Sequence, residues 1–494
     1  MKKKLFSVFA AVLVLVICIA ALVACNPYKA DSIGSGDSSA AVESNGGYVV
    51  KQGRFIYFIN GYVGESADNA WGAATKQGIV RAEIKDGKVD PKSAKLVVPK
   101  SVYNSSNVGG IAIHGEWIYY TSVNTDKDKS GTASTVNTDF MRTKTDGSVT
   151  QLIGTIGTRS AKYLFTTSRV LYYTDNTIGY IDFSGMNDKA TDKGKGAVKG
   201  TLVEKVENVV WDYATDSIFY VQTAPSEDSY KNYNNLCTIK ADGSGQKVLA
   251  TQSTFVQEGK NAVDDQLNVF KYSLVNMYVE EDGDCTLYYT KSHTLNNKSE
   301  TDGLFMAKAS DVKGTQKLLN TIASTTLVPL GYAEGALAYN SSSVYCWYNG
   351  GEKENPVQVT TTSQTIWKVD KAKGVVYYTA SSSAKSISKI SYREAKDNAT
   401  VIMEEGIKTD WLVLDFIGDD FYFFASKDDN YLHTINLRQG CRGCRKHLHR
   451  LPDGQTRQKR RIIDAKNTAC QKYFGKQYFM LRHMLFMQKR RIAM

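Results

Sequence analysis

The feature that most constrains the fold of this 494-residue chain is a hairpin that recurs along nearly its whole length. Each copy has a short apolar strand, a tight polar turn and a second strand centred on an aromatic pair. The clearest copies are GGIAIHGEWIYYT, AKYLFTTSRVLYYTD, NVVWDYATDSIFYVQ, MYVEEDGDCTLYYTK, TIWKVDKAKGVVYYTA and WLVLDFIGDDFYFFAS, and two weaker ones are GYVVKQGRFIYFING and LVPLGYAEGALAYNS. Turn signals such as His114-Gly115 and Asp282-Gly283 fit hairpin connections, because these residue types tolerate the required backbone angles. A unit this small cannot bury its apolar side alone, so the copies must pack against one another.

The spacing of the hairpins indicates four strands per unit. The second strands are centred at Tyr57, Tyr119, Tyr172, Phe219, Tyr288, Ala338, Tyr377 and Tyr422, with spacings of 62, 53, 47, 69, 50, 39 and 45 residues. After most hairpins a third strand ends in a polar turn and leads into a fourth, as in LCTIKADGSGQKVL. No long stretch has helical periodicity. We therefore predict an all-β fold, a β-propeller of about seven or eight four-stranded blades over residues 47–437.

The aromatic pairs carry both a packing expectation and a family resemblance. We expect every pair to fill the core and the contacts between blades, where a large ring buries area and its hydroxyl finds a partner. The pairs Tyr119-Tyr120 and Tyr288-Tyr289, with the Asp-Gly-Ser turns at Asp146 and Asp242, resemble bacterial repeat lipoproteins whose blades read like "IYYSN…LYRMNLDGS". Those proteins are similar to TolB-like and YWTD-like propellers. No YWTD tetrapeptide occurs here, and the resemblance implies an architecture rather than an activity.

The N-terminus is typical of an exported lipoprotein. Three lysines precede an apolar stretch from Leu5 to Val23, as in a secretory signal peptide. Leu22-Val23-Ala24-Cys25 resembles the bacterial lipobox, which implies that Cys25 receives a diacylglycerol and becomes the mature N-terminus after removal of residues 1–24. Two acyl chains hold a protein stably on a membrane. We therefore predict an exported protein whose partner is the membrane, on its extracytoplasmic face.

Two further readings concern the residues around this anchor. About 19 apolar residues are nearly enough to span a bilayer, so an uncleaved transmembrane anchor is the alternative to the signal peptide. Residues 25–46 are rich in Ser, Gly, Ala and Asp and have no apolar period, which predicts a flexible linker.

The other end of the chain has a different composition. Residues 438–494 contain 16 Lys and Arg against two acidic residues, and 10 of the 16 arginines of the chain. The body between the signal and this tail has 42 basic and 48 acidic residues, so we expect no nucleic-acid partner despite the basic total. The tail also loses the strand period. We hypothesise a translational frameshift near Leu437; a genuine basic segment is the alternative. The last unit ends after its third strand, LHTINL, so a broken frame there would leave the final blade without its fourth strand and with an exposed edge.

Cysteine and histidine patterns give no strong metal or disulfide signal. Cys441, Cys444, His447 and His449 have metal-ligand types, but they crowd into nine residues without the intervening loop of a zinc finger. Body cysteines are three, at Cys237, Cys285 and Cys346, and their strand contexts favour buried thiols.

Motifs for catalysis are also weak. The body has no G-x-S-x-G and no phosphate-binding loop. His114, His293 and His433 are interpreted as a turn, a loop and a strand residue, and the acidic turn 280–284 as solvated. Residues 126–131 imitate half a calcium loop, but position twelve is Asn137 instead of Glu.

These observations favour a binding protein. We predict no enzyme activity, no catalytic or metal residues and no cofactor, with Cys25 as the one modified residue. The longest insertions carry Trp71, Tyr103, Tyr230 and Tyr233, which could stack on sugars or peptides at the ring face. The predicted function is a membrane-anchored propeller that binds a protein, peptide or glycan. The alternative is a secreted hydrolase or lyase with carboxylates in the channel.

Overall fold

Strands account for nearly all of the regular structure. A computed structural model describes residues 33–59, 78–100, 102, 110–123, 137–188, 194–225, 232–253, 269–295, 298–320, 327–339, 345–348, 357–360, 365–379, 387–392, 400–403, 412–418, 420–424, 431–436 and 447–450. The strands of the first four sheets in chain order are β1 (Val42–Glu43), β2 (Val49–Gln52), β3 (Phe55–Ile59), β4 (Ile79–Lys85), β5 (Lys88–Val98); β6 (Ala112–His114), β7 (Trp117–Val123), β8 (Thr138–Lys144), β9 (Thr150–Ile156); β10 (Lys162–Phe165), β11 (Arg169–Thr174), β12 (Thr177–Asp182), β13 (Val198–Val203); and β14 (Val206–Trp211), β15 (Ser217–Pro225), β16 (Asn232–Lys240), β17 (Lys247–Ser253).

Four more sheets follow the same plan. Their strands are β18 (Val269–Val279), β19 (Cys285–Leu295), β20 (Lys298–Lys308), β21 (Lys317–Asn320); β22 (Leu327–Gly331), β23 (Gly335–Tyr339), β24 (Tyr345–Tyr348), β25 (Val357–Thr360); β26 (Thr365–Asp370), β27 (Val375–Thr379), β28 (Ile387–Ser391), β29 (Thr400–Met403); and β30 (Leu412–Ile417), β31 (Asp420–Phe424), β32 (Tyr431–Asn436), β33 (His447–Arg450). A 3₁₀ turn at Ala309–Asp311 and the four-residue helix α1 (Val312–Thr315) lie between β20 and β21.

The sheets form a ring, which confirms the predicted all-β propeller. In each sheet the strands pair in sequence order, and the pairs formed among β1 to β32 are antiparallel. First strands of neighbouring sheets contact one another, for example β14 with β18 and β18 with β22. The first and last sheets meet where β2 contacts β30, so the ring closes.

The aromatic pairs explain why the sheets stack. Successive residues of a strand face opposite sides, so each ring of a pair enters a different inter-sheet core. Tyr119 lies between the second and third sheets and Tyr120 between the first and second. Tyr289 lies between the fourth and fifth sheets and Tyr288 between the fifth and sixth. The expected packing role holds for these four rings, all nearly inaccessible to solvent.

Asparagine side chains also tie neighbouring sheets together. The Asn208 amide of β14 donates to the Leu274 carbonyl oxygen at 2.6 Å and accepts from the Leu274 N–H at 3.3 Å. Asn276 of β18 donates to the Leu327 carbonyl oxygen of the next sheet. Asn208 therefore bonds like an extra backbone unit across the gap between first strands, and Asn276 adds one donated bond across the next gap.

The described part of the predicted linker, residues 33–46, lies against the propeller. Asp37 accepts a hydrogen bond from the Arg54 backbone N–H at 2.9 Å. The short strand β1 then pairs with β2. The Asn45 side chain bonds both the N–H and the carbonyl of Ile113 in β6. These contacts fasten the segment to β2, to the turn after β2 and to β6.

The last sheet corrects one expectation. A final blade ending after its third strand would have left β32 as an open edge. Instead β33, from the first residues of the basic tail, lies beside β32 and gives the sheet its fourth strand. The frameshift hypothesis itself concerns the gene and stays a hypothesis.

The signal peptide and Cys25 lie outside the described residues. Within the part of the chain that the structure describes, no helix has the length and apolarity needed to cross a bilayer. The export and anchoring of the chain therefore stay predictions.

Candidate functional site

A cleft of about 410 Å³ opens at the turn ends of the third and fourth sheets. Its walls are the turn between β10 and β11, the turn between β14 and β15, and the start of the turn after β16. His114 at the end of β6 completes the lining from the second sheet. The volume falls in the range of small-ligand sites. Four chain segments thus meet at one opening.

Side-chain hydrogen bonds fix the shape of the turns around the cleft. The Thr166 hydroxyl accepts the Arg169 backbone N–H at 2.9 Å and donates to the Arg169 carbonyl oxygen. Asp212 Oδ1 accepts the Ala214 N–H at 2.7 Å. Asp242 Oδ1 accepts the Ser244 N–H at 2.8 Å. Asp and Thr stand at these positions because a short side-chain acceptor closes a tight turn locally.

The floor of the cleft is apolar and its rim is acidic. Leu164 and Phe165 of β10 are buried, whereas Asp212, Asp216 and Asp242 are exposed. Hydrogen bonds from the Ser244 hydroxyl and backbone N–H lower the pKa of Asp242, so this carboxylate is ionised at neutral pH.

The basic groups near the cleft are already paired. The Arg169 Nε donates to Asp182 Oδ2 at 2.9 Å, and the guanidinium lies 4.7 Å from the centre of the Tyr180 ring. Lys240 Nζ is 3.3 Å from Asp216 Oδ2, but both side chains are more than half exposed. An exposed pair of this kind contributes little. The rim therefore keeps an excess of negative charge.

His114 and Tyr213 form the inner wall. His114 Nε2 donates to the Phe165 carbonyl oxygen at 2.9 Å. Burial lowers the pKa of His114, so its imidazole is neutral near pH 7. Burial raises the pKa of Tyr213, which keeps its hydroxyl protonated. The two ring centres are 6.4 Å apart.

Tyr213 is held from behind by the N-terminal segment. A Cβ added to Gly46 would lie 2.3 Å from Tyr213 Cε2, and the Gly46 φ of 87° also disfavours a side chain. Glycine is therefore required for this close approach. The docked segment positions one wall of the cleft.

The three body histidines do not meet at one site. His114 lines the cleft, but its Nε2 is hydrogen-bonded to a backbone carbonyl oxygen rather than to a nucleophile. His293 lies in strand β19, not in the predicted loop, and its Nδ1 is 2.8 Å from Asp302 Oδ1. His433 lies in β32 as predicted and pairs with Phe423. Each belongs to a different sheet.

The acidic turn 280–284 differs from the solvated interpretation. Glu280 Oε1 accepts the Tyr332 backbone N–H at 2.8 Å and also bonds the Thr286 hydroxyl. Asp284 accepts from the Ser310 hydroxyl at 2.6 Å. The segment is a turn, as predicted, but two of its carboxylates hold neighbouring segments instead of pointing into solvent. Their structural use was hidden because their partners are distant in sequence.

The cysteines that the structure describes with side chains are buried thiols. Cys237 and Cys285 are free and nearly inaccessible. Burial raises the pKa of each thiol to about 11. The predicted buried state is confirmed for these two.

Several other candidates fall outside the described residues or lack described side chains. Those outside the described residues are Trp71, Tyr103, Tyr230, Cys441, Cys444 and residues 126–131. Those placed only as strand residues, without described side chains, are Tyr233, Cys346, His447 and His449. Among the described residues, no three His, Cys, Asp or Glu side chains group in a way that could hold a metal ion.

Sequence inspection missed the cleft itself. The pattern of WDYATDS predicts only a hairpin turn, although three of its residues line the cleft: Asp212, Tyr213 and Asp216. The signal in the sequence that could have indicated the cleft was a pair of acidic residues around an aromatic residue in one turn. Its meaning depends on Phe165 and His114, which come from other sheets.

Comparisons with known proteins assign no family to this chain. No family model and no curated protein matches the chain. Among solved structures, a periplasmic gluconolactonase of Pseudomonas aeruginosa is 9% identical, covers 77% of this chain and 92% of its own, and has a TM-score of 0.34. A eukaryotic initiation factor structure is 11% identical over 76% of this chain and 90% of its own, with a TM-score of 0.36. A prolyl endopeptidase structure is 11% identical over 84% of this chain and 56% of its own, with a TM-score of 0.37. The propeller assignment rests on the strand pairing and ring contacts described above.

Proposed function

We propose that this chain is a non-enzymatic, membrane-anchored propeller that binds a protein, peptide or glycan partner in the cleft between its third and fourth sheets. The observation that carries the proposal is the composition of the cleft, an apolar floor under a polar rim. Ligand sites are commonly built in this way, with a few polar groups that orient the ligand.

The bonding of the polar groups favours binding over catalysis. Thr166, Asp212 and Asp242 hold their own turns, and His114 donates to a backbone carbonyl. General base catalysis needs an imidazole or carboxylate in reach of the proton that it removes. Groups fixed in turns instead provide a rigid surface that loses little entropy when a ligand binds.

The experiment compares two tryptophan substitutions in the full-length protein purified in detergent. Ala214 is exposed and lines the cleft, so Ala214→Trp fills it without entering the core. Val198 in β13 is 61% exposed and outside the cleft lining, so Val198→Trp is the matched control. On glycan and peptide arrays we expect the wild type and Val198→Trp to retain ligands that Ala214→Trp loses. Equal retention by all three proteins would contradict a ligand site at the cleft.

The anchor is tested separately. We expect metabolic labelling with an alkyne fatty acid to mark the wild type but not Cys25→Ser, because the thiol is the acceptor implied by the lipobox. Labelling of both proteins would refute Cys25 as the acceptor, and membrane retention of an unlabelled wild type would favour the transmembrane alternative.

A further inference from the structure

We propose that the cleft receives a cationic side chain with an apolar stem, the lysine or arginine of a peptide segment. This inference rests on the proposed binding function and specifies its ligand. Three features of the cleft carry it, namely the depth of its apolar floor, the sign of its rim and the neutrality of its histidine.

The floor fits a hydrocarbon stem. Leu164 and Phe165 are 3% and 1% exposed, so the base of the cleft lies on the inter-sheet core. Ala214 and Ala241 add only methyl groups to its sides, and the Tyr213 ring supplies an aromatic face. Lys and Arg side chains bury their methylene stems on such surfaces while the charged end stays near water.

The rim selects a positive end group. Asp212, Asp216 and Asp242 line the opening together with Arg169, whose guanidinium is paired with Asp182 and also donates to the Ala241 carbonyl oxygen. Lys240 places an exposed ammonium at Asp216, and this pair is open to solvent. An anionic ligand such as a phosphate or an acidic sugar would meet net repulsion here, because the carboxylates outnumber the two cations, Arg169 and Lys240, and both cations are already paired. A cation instead gains charge-assisted hydrogen bonds.

The inner wall adds no positive charge at neutral pH. His114 is buried and neutral, with its Nε2 proton held by the Phe165 carbonyl. His114 therefore does not repel a cation that binds in the cleft. The ring of Tyr213 can in addition contact a guanidinium or ammonium through a cation–π interaction.

The test measures fluorescence anisotropy of labelled peptides with the full-length protein in detergent. The probes are an oligolysine, an oligoarginine and an oligonorleucine of equal length, since norleucine keeps the stem and removes the charge. We expect both cationic peptides to bind at least tenfold more tightly than the norleucine peptide. Added salt should weaken that preference, because the rim carboxylates are exposed.

Two variants test whether binding depends on the carboxylates of the cleft or on acidic residues anywhere on the surface. Asp212→Asn with Asp216→Asn keeps turn acceptors, since Asn can close the same turns. For two exposed ion pairs we expect about tenfold weaker binding of oligolysine. The control Glu281→Gln removes an exposed acid from the fifth sheet and should leave binding unchanged. Equal loss in both proteins, with unchanged melting temperatures, would overturn the inference.

The outcomes also distinguish this inference from the proposed function. If a glycan or a neutral peptide binds, and Ala214→Trp abolishes that binding while cationic peptides fail, the cationic ligand is wrong and the binding site stands. If no array ligand depends on Ala214, both proposals fail together.

Discussion

Two neighbouring inter-sheet regions show how one hairpin plan gives either a sealed core or an open site. Between the second and third sheets, Phe140, Tyr163 and Phe165 pack edge to face with ring centres 5.3 to 5.8 Å apart. Between the third and fourth sheets the core is mainly aliphatic, with Leu171, Val209 and Ile218 among its buried residues. The cleft opens at the turn end of this aliphatic core.

The difference arises at one position of the hairpin, the first residue of the second strand. In the second sheet it is Trp117, which is 7% exposed and seals the turn end. In the third sheet it is Arg169, whose guanidinium is directed to Asp182. A large ring fills the wedge between sheets, whereas a paired arginine leaves space beside it. Ligand sites in such a ring can therefore arise without changing the backbone plan.

The largest expected effect comes from removing a ring from the sealed region. Tyr119→Ala deletes a nearly inaccessible side chain that contacts Phe165 and Phe183 with ring centres 5.6 and 5.4 Å away. We expect the free energy of unfolding to fall by about 3–5 kcal/mol. Urea denaturation measures it, and Ala214→Trp at the open cleft should change it by less than about 0.5 kcal/mol. Similar losses in both variants would remove the distinction between the regions.

Two arginines make the comparison sharper. Arg142 is 4% exposed, lies 4.1 Å from the centre of the Trp117 ring and donates to Gln151 at 2.7 Å. Arg169 at the cleft is only partly buried. We expect Arg142→Met to cost about 1.5–3 kcal/mol, because it breaks buried charge-assisted bonds. Arg169→Met should cost about 1 kcal/mol or less. The denaturant midpoints of the two variants measure these losses. A larger loss for Arg169→Met than for Arg142→Met would contradict the assignment of sealed and open regions.

The N-terminal segment offers a test with an internal control. Gly46→Ala introduces a methyl group against Tyr213 at a positive φ, and we expect a loss of about 1–3 kcal/mol. The control Gly34→Ala has no atom within 4 Å of the new carbon and should be neutral. Melting temperatures of both variants measure the effect. An equal response would mean that residues 33–46 act as a loose linker.

The smallest effect is a pH dependence from His114. Burial lowers its pKa in the folded state, so the unfolded chain binds more protons as the pH falls below about 6.5. Stability should therefore decrease on acidification through the unfolded-state pKa and level off below the folded-state pKa. We expect His114→Gln to reduce this slope between pH 7.5 and 5, as measured by urea denaturation at each pH. An unchanged slope would show that His114 does not contribute.

Much of the architecture was predictable from short-range patterns. Alternation and aromatic pairs predicted the strands, and the recurring turns predicted the hairpins, because both depend on residues within one unit. The fourth strand of the last sheet was harder to predict. Its fourth strand comes from a tail without strand periodicity, and only the neighbouring strand β32 explains why residues 447–450 pair.

The cleft could not be predicted to the same degree. His114, Phe165 and Tyr213 are separated by 48 to 99 positions and belong to three sheets. The sequence places Gly46 in a flexible linker, whereas in the structure Gly46 packs closely against Tyr213. The Asn208 and Asn276 bridges were likewise missed, since each partner lies in the next sheet.

Local patterns were enough to establish a repeat of four-stranded aromatic sheets, because strand period and turn chemistry depend on residues close together in the chain. Which pairs of sheets pack closed and which leave a cleft became visible only in the folded ring. That outcome depends on whether the side chains that meet from different sheets fill the wedge between them, and volume complementarity across the ring is not encoded in any one repeat.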